Sequence, residues 1–126
     1  MIDFLASKED TLAFRISGKL LLSEMEQVMD LLEARLGNEG PINLYAEIES
    51  LTGIDDFRPI LSRSRIFFSN LFRFSRVAVV TDIDWIAWAS RLESVLLPMI
   101  SYRVFGLKDA EEARRWVDGE IPDPAT

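Results

Sequence analysis

The sequence predicts a single α/β domain built on a five-stranded, mainly parallel mixed sheet, and three observations predict it. Val77 to Val80 form an unbroken apolar, largely β-branched run, the pattern of a strand covered on both faces. Beyond the polar corner Thr81 and Asp82, the residues Trp85, Trp88, Ala89, Leu92, Val95 and Leu96 recur at helical spacing, so this strand feeds straight into an amphipathic helix. Strand and helix signals then alternate along the chain in the order β-β-α-β-α-β-α-β-α, which implies right-handed crossovers between parallel strands. The run at 77–80 is expected as the central strand, and the first strand is expected to run antiparallel to the rest.

Each element has its own signal. Ile2, Phe4 and Ala6 alternate with Asp3 and Leu5, and after the polar turn Ser7 to Asp10 the residues Leu12, Phe14 and Ile16 alternate again, which makes a hairpin. Gly18 and Lys19 close its second strand. Ser23 and Glu26 have the S-x-x-E spacing of a capping box and predict the first helix start. Met25, Val28, Met29, Leu32 and Leu36 lie on one stripe of that helix, and Gly37 is its expected left-handed stop. Pro41 leads into a third strand in which Ile42, Leu44, Ala46 and Ile48 alternate with Asn43, Tyr45 and Glu47; Glu49 to Gly53 is a polar bend.

Asp55 or Asp56 caps a predicted second helix with Pro59 in its first turn and Ile60, Leu61, Phe67, Phe68, Leu71 and Phe72 as apolar positions. The third predicted helix follows the 77–80 strand and stops at Pro98. Ile100, Tyr102 and Val104 then alternate as a fifth strand ended by Gly106. Asp109 and Glu112 repeat the cap spacing ahead of a fourth helix, whose inner face is Ala110, Ala113, Trp116 and Val117. Residues 1–120 therefore form the domain, and 121–126, with two prolines, are expected as a frayed tail.

Composition narrows the chemistry. The chain has 126 residues, 48% of them hydrophobic, which is enough for one real core. Its 21 acidic against 14 basic residues give a net charge of -7, which disfavours nucleic acid as a partner. There is no cysteine and no histidine, so disulfides, thiolate metal sites and the commonest general base are all missing. No cofactor and no metal are expected, and G-x-G-x-x-G, G-x-x-x-x-G-K-[ST] and G-x-S-x-G motifs are absent. With no signal-peptide pattern and no apolar run of ~18 residues, a cytoplasmic location is expected.

The G-K-L turn at Gly18 to Leu20, INLYAEIESLTG from Ile42, FSRVAVVTDIDW from Phe74, YRVF from Tyr102 and DAEEARRWV from Asp109 together resemble the SpoIIAA-like family of small bacterial proteins. The resemblance runs from about residue 10 to residue 118. It implies the STAS fold, which is related in shape to the CRAL-TRIO lipid-carrier domains, and its motifs specify fold rather than catalysis. In the wider STAS group a D-S-x-G segment after the third strand carries a serine whose phosphorylation switches partner binding. Here Asp56 stands in that serine's place, so phosphorylation control is not implied there. Ser50, Asp55 and Asp56 are the candidate regulatory loop.

Two further places invite a functional reading. Asp82 and Asp84 follow the 77–80 strand at its carboxyl end, where open α/β sheets place ligands; they offer a Mg²⁺ pair or, more simply, helix caps. Residues 57–76 hold Arg58, Arg63, Arg65, Arg73 and Arg76 with five phenylalanines and no acid. One reading makes the phenylalanines core and the arginines a solvated face paired with acids elsewhere. The other makes a greasy groove for an amphipathic anion, with Phe67, Phe68, Leu71, Trp85 and Trp88 against the apolar body and Arg63 on the acidic head. The resulting expectation is a non-enzymatic binding protein for an apolar, lipid-like small molecule near the second and third helices. Its alternative is a STAS-type protein-interaction module, with a homodimer or another protein as partner. Peripheral contact with an anionic membrane is a further candidate.

Overall fold

The computed structural model describes all residues except 38–39, 57, 64, 66–68, 71–72, 84–100 and 122–126. Its strands are β1 (Ile2–Phe4), β2 (Thr11–Ile16), β3 (Lys19–Leu20), β4 (Ile42–Ile48), β5 (Gly53–Ile54), β6 (Phe74–Thr81) and β7 (Ser101–Phe105). Helix α1 spans Leu22–Leu36 and α2 spans Ala110–Val117, with 3-10 turns at Arg58–Arg63 and Leu107–Asp109. The main sheet has the order β1-β2-β4-β6-β7. As expected, β1 is antiparallel to β2 and every other pairing in this sheet is parallel.

The middle position belongs to β4 and not to β6, which lies between β4 and β7. An unbroken apolar run reports two covered faces, and any interior strand has those. The two extra strands also escape alternation: β3 and β5 pair in parallel as a separate two-residue sheet where the sequence suggests a strand end and a bend. Among the described residues there are two α-helices rather than the expected four. Of the predicted second helix, the described residues show a 3-10 turn at Arg58–Arg63 and helical residues at Arg65 and Ser69; the rest of its apolar run and the predicted third helix lie outside the described residues.

Period-2 geometry sends alternate side chains to opposite faces of the sheet, and among the described residues α1 packs on one face and α2 on the other. Leu12, Ile42 and Phe74 pack with Leu32, Val28, Met29 and Leu36 of α1. Ala13, Tyr45, Ala78, Val80 and Phe105 pack with Ala113, Trp116 and Val117 of α2. The predicted stripes of both helices are thus the ones buried. Trp116 is fully enclosed, and the guanidinium carbons of Arg76 and Arg103 lie 5.3 and 5.4 Å from its ring centroid. Ile121, assigned to the tail on sequence, packs on this core and its carbonyl accepts a hydrogen bond from Arg76 Nη1 at 2.8 Å.

Between the pairs Ile42↔Phe74 and Leu44↔Val77 the register shifts, so Asn43 faces two residues of β6. The Asn43 side-chain oxygen accepts from the Arg76 amide at 3.1 Å, which satisfies the donor the irregularity would orphan. Helix α1 starts two residues earlier than the S-x-x-E spacing indicates. Leu21 is its N-cap residue, and Glu24, not Glu26, reaches back to the Leu21 amide at 3.1 Å. At the other end Gly37 has φ -70°, so the helix stops without a left-handed residue there.

Candidate functional site

The parallel strands β2, β4 and β6 deliver their following segments to one edge of the sheet, and the small β3–β5 sheet is built there from the residues after β2 and β4. The Ser50 hydroxyl accepts from the Gly18 amide at 3.0 Å, and the Thr52 amide donates to the Gly18 carbonyl at 2.9 Å. Ser50 therefore pins two loops to each other. Asp55 does not cap the predicted second helix. Its amide donates to the Leu20 carbonyl at 2.9 Å, and its Oδ2 accepts from the Leu22 amide at 3.1 Å, so it closes the start of α1 instead. Lys19 Nζ lies 3.1 Å from Asp55 Oδ1.

Asp56 faces elsewhere. It accepts from the Arg58 amide at 3.0 Å and forms a forked pair with the Arg58 guanidinium at 2.8 to 3.0 Å. The Leu22 amide and Lys19 hold the Asp55 carboxyl below the usual carboxylate range, and Arg58 does the same for Asp56. Both acids are held as anions by separate partners, so they are not an acid and base pair with divided pKa values. What this edge does expose is apolar surface. Ile54 is 53% and Leu21 41% exposed, and the Asp55 contacts to Leu20 and Leu22 hold both at the same clasp.

The predicted third helix that Asp82 is expected to cap lies outside the described residues, but one Asp82 contact is placed. The Asp82 Oδ1 accepts from the Leu107 amide at 3.0 Å, which ties the end of β6 to the turn after β7. Asp84 lies outside the described residues, and among those described no group of three acidic side chains is placed to hold a metal ion.

Of the candidate ligand-binding residues, Phe67, Phe68, Leu71, Trp85 and Trp88 lie outside the described residues. Arg63 is placed, and it is committed: Nη2 is 2.6 Å from Asp30 Oδ1 and 2.9 Å from Glu33 Oε2, and Nε donates to Glu33 Oε1 at 3.0 Å. This cross-link raises the Arg63 pKa and lowers that of Glu33. It bolts the 3-10 turn to α1, and a ligand head would have to displace two carboxylates. Arg73 covers the carboxyl end of α1 by donating to the Leu36 and Gly40 carbonyls, and Arg76 donates to the Trp116 and Ile121 carbonyls beyond α2. The placed arginines Arg58 and Arg63 pair with acids, as the solvated-face reading has it. Arg65 is exposed.

Sequence reasoning missed one cluster. On the α2 face Arg15 lies opposite Glu47, the Arg15 guanidinium bonds to the nearly buried Glu47 carboxylate, and the Tyr45 hydroxyl donates to Glu47 Oε1 at 2.8 Å. Arg114 of α2 stacks 5.0 Å from the Tyr45 ring centroid and bonds to the Ala6 carbonyl. Burial, then the bond to Glu47, pushes the Tyr45 hydroxyl above its ordinary range, so it remains a donor. Charged residues at alternate strand positions read as solvent-facing; only the register that sets Arg15 against Glu47 reveals the pair.

A family model described as SpoIIAA-like matches residues 11–118. No curated protein matches the chain. Among solved structures, the chain is similar to an uncharacterized protein from the DUF3478 family with a SpoIIAA-like fold, from Shewanella loihica PV-4. The two are 27% identical, with a TM-score of 0.60 over 93% of this chain and 92% of that one.

Proposed function

The chain belongs to the SpoIIAA-like family, and from that premise we propose that it is a non-enzymatic interaction module of the STAS kind. Its partner is a protein that docks where Leu21 and Ile54 flank the Asp55 clasp. The observation that supports this reading is the pair of exposed apolar side chains, 41% and 53% accessible, on a loop surface held rigid by main-chain bonds. Isolated exposed aliphatic side chains are ordinary, but a leucine and an isoleucine at one fixed clasp make a small adhesive surface. The charges beside it, Lys19 with Asp55 and Asp56 with Arg58, are mutually neutralised ion pairs. An apolar contact there strands no unpaired charge. Asp56, at the place where the wider group carries its serine, keeps a permanent negative charge, so docking here is not switched by phosphorylation at that residue.

Native mass spectrometry of the wild type and of Ile54→Glu, each before and after organic extraction, tests the reading. The expected result is a homodimer or a co-purifying protein at fixed stoichiometry, lost in Ile54→Glu while the thermal midpoint is unchanged. A bare monomer in both proteins, each at the mass of its own sequence, would overturn it. An extra apolar mass that extraction removes would instead assign the chain to carriage of a lipid-like molecule.

A further inference from the structure

At the opposite end of the sheet, where β2 and β4 begin, a cleft of about 550 Å³ opens between the 9–10 loop, the last turn of α1 and the segment entering β4. Among the described residues its apolar lining includes Ala34, Pro41 and Ile42, and its charged lining is Glu9, Asp10 and Arg35. The volume lies within the range of small-ligand sites. The Asn43 amide donates to the Asp10 carbonyl at 2.7 Å, and the Thr11 hydroxyl donates to Asp10 Oδ1 at 3.2 Å, so the acidic wall is fixed to the strands behind it.

The charges in this cleft do not cancel one another. Among the described residues the Arg35 side chain makes one hydrogen bond, from Nη2 to the Thr11 carbonyl at 3.3 Å, and its buried Nε has no partner. It forms no ion pair with Glu9 or Asp10 among the described residues, although all three line the same space. The Nε is enclosed and out of a ligand's reach, so the donors this arginine offers the cleft are its terminal nitrogens, held by one long bond among the described residues. The carboxyl end of α1 does not supply the missing charge, because Arg73 already occupies the Leu36 and Gly40 carbonyls. A planar guanidinium with open donors matches a carboxylate, and the two carboxylates that line the same cleft match an ammonium. A short apolar body then rests on Ala34 and Pro41.

We propose that this cleft binds a small zwitterion of amino-acid type, its carboxylate on Arg35 and its ammonium on Asp10 and Glu9. The site is separate from the Leu21 and Ile54 surface and does not depend on it.

The test is an amide NMR titration of the full chain with L-alanine, L-leucine and L-glutamine, and separately with acetate and with propylamine. At least one amino acid is expected to shift the amides of Asp10, Ala34, Arg35 and Ile42 in a saturable way. Acetate and propylamine should each bind about tenfold more weakly or worse, having one of the two charges. Arg35→Gln should abolish the shifts, and Glu9→Gln, which removes no hydrogen bond from the fold, should weaken binding several-fold. Silence from all three amino acids to tens of millimolar, about the weakest range worth calling binding, would overturn the proposal. So would equal affinity for acetate alone, or an unchanged affinity in Arg35→Gln and Glu9→Gln.

Discussion

Replacing Tyr45 by phenylalanine removes one oxygen from the buried Tyr45 and Glu47 pair and leaves the ring, and with it the Arg114 stacking, in place. Tyr45 is 1% and Glu47 6% exposed, and their hydrogen bond is 2.8 Å long. A hydrogen bond to a charged group contributes about 1.5–3 kcal/mol. Arg15 still holds Glu47 after the substitution, so the carboxylate is not orphaned and the loss should fall in the lower part of that range, about 1.5–2 kcal/mol. For a chain of 126 residues this corresponds to a fall in Tm of about 6–8 °C. The pH dependence adds a second constraint. Because the folded-state pKa of Tyr45 is raised, the folded chain holds this proton when the unfolded chain has released it. The stabilisation is therefore fully present below the unfolded tyrosine pKa of about 10 and is lost as pH climbs beyond it. Urea denaturation of both proteins from pH 7 to pH 11 should show a constant gap up to about pH 9 that narrows above pH 10. A gap below about 0.5 kcal/mol at pH 7, or one that does not narrow, would refute the assignment of the hydroxyl to Glu47.

Three other perturbations probe the remaining joints. Asp55→Ala should lower the thermal midpoint at neutral pH by unclasping the start of α1. Because the folded Asp55 pKa is depressed, its contribution is present above the unfolded carboxyl pKa and disappears as pH falls through the folded one, so wild type and variant should converge in acid. Arg63→Gln should raise the Glu33 carboxyl pKa toward the ordinary value, as read by carbon-detected NMR titration, because Arg63 is the chief cause of its depression. Gly106→Ala would set a Cβ 3.1 Å from Asp82 Oδ1 and push that carboxylate off the Leu107 amide. Differential scanning calorimetry should register a loss of about 1 kcal/mol, and no loss would mean that the Asp82 bond adds nothing to the join between β6 and β7.

The strands and helix stripes were legible because each rests on spacing alone. Leu12, Phe14, Ile42, Leu44 and the α1 positions Val28, Met29 and Leu32 declare a face through period 2 or 3.6, whatever they later pack against. Caps were less legible. Asp55 and Glu24 satisfy the start of α1 from outside or inside the helix, and the S-x-x-E spacing at Ser23 offered an equally good local solution that the packed chain does not use. The three residues of the candidate regulatory loop hold three different partners, which spacing does not reveal: Gly18 for Ser50, Leu22 with Lys19 for Asp55, and Arg58 for Asp56.

By itself the sequence determined the α/β class, the antiparallel first strand, the family and the two helix faces that close the core. Those properties follow from local periodicity and chain order, which do not change when the chain folds. Only the tertiary structure decided that β4 takes the middle of the sheet, that Arg15 meets Glu47, that Arg63 is spent on Asp30 and Glu33, and that Arg35 stands open in a cleft. Each of these depends on the register between strands or on the approach of residues about thirty positions apart. A charge reads the same in sequence whether its partner is water, a distant carboxylate or nothing, and the fold supplies the distance that tells them apart.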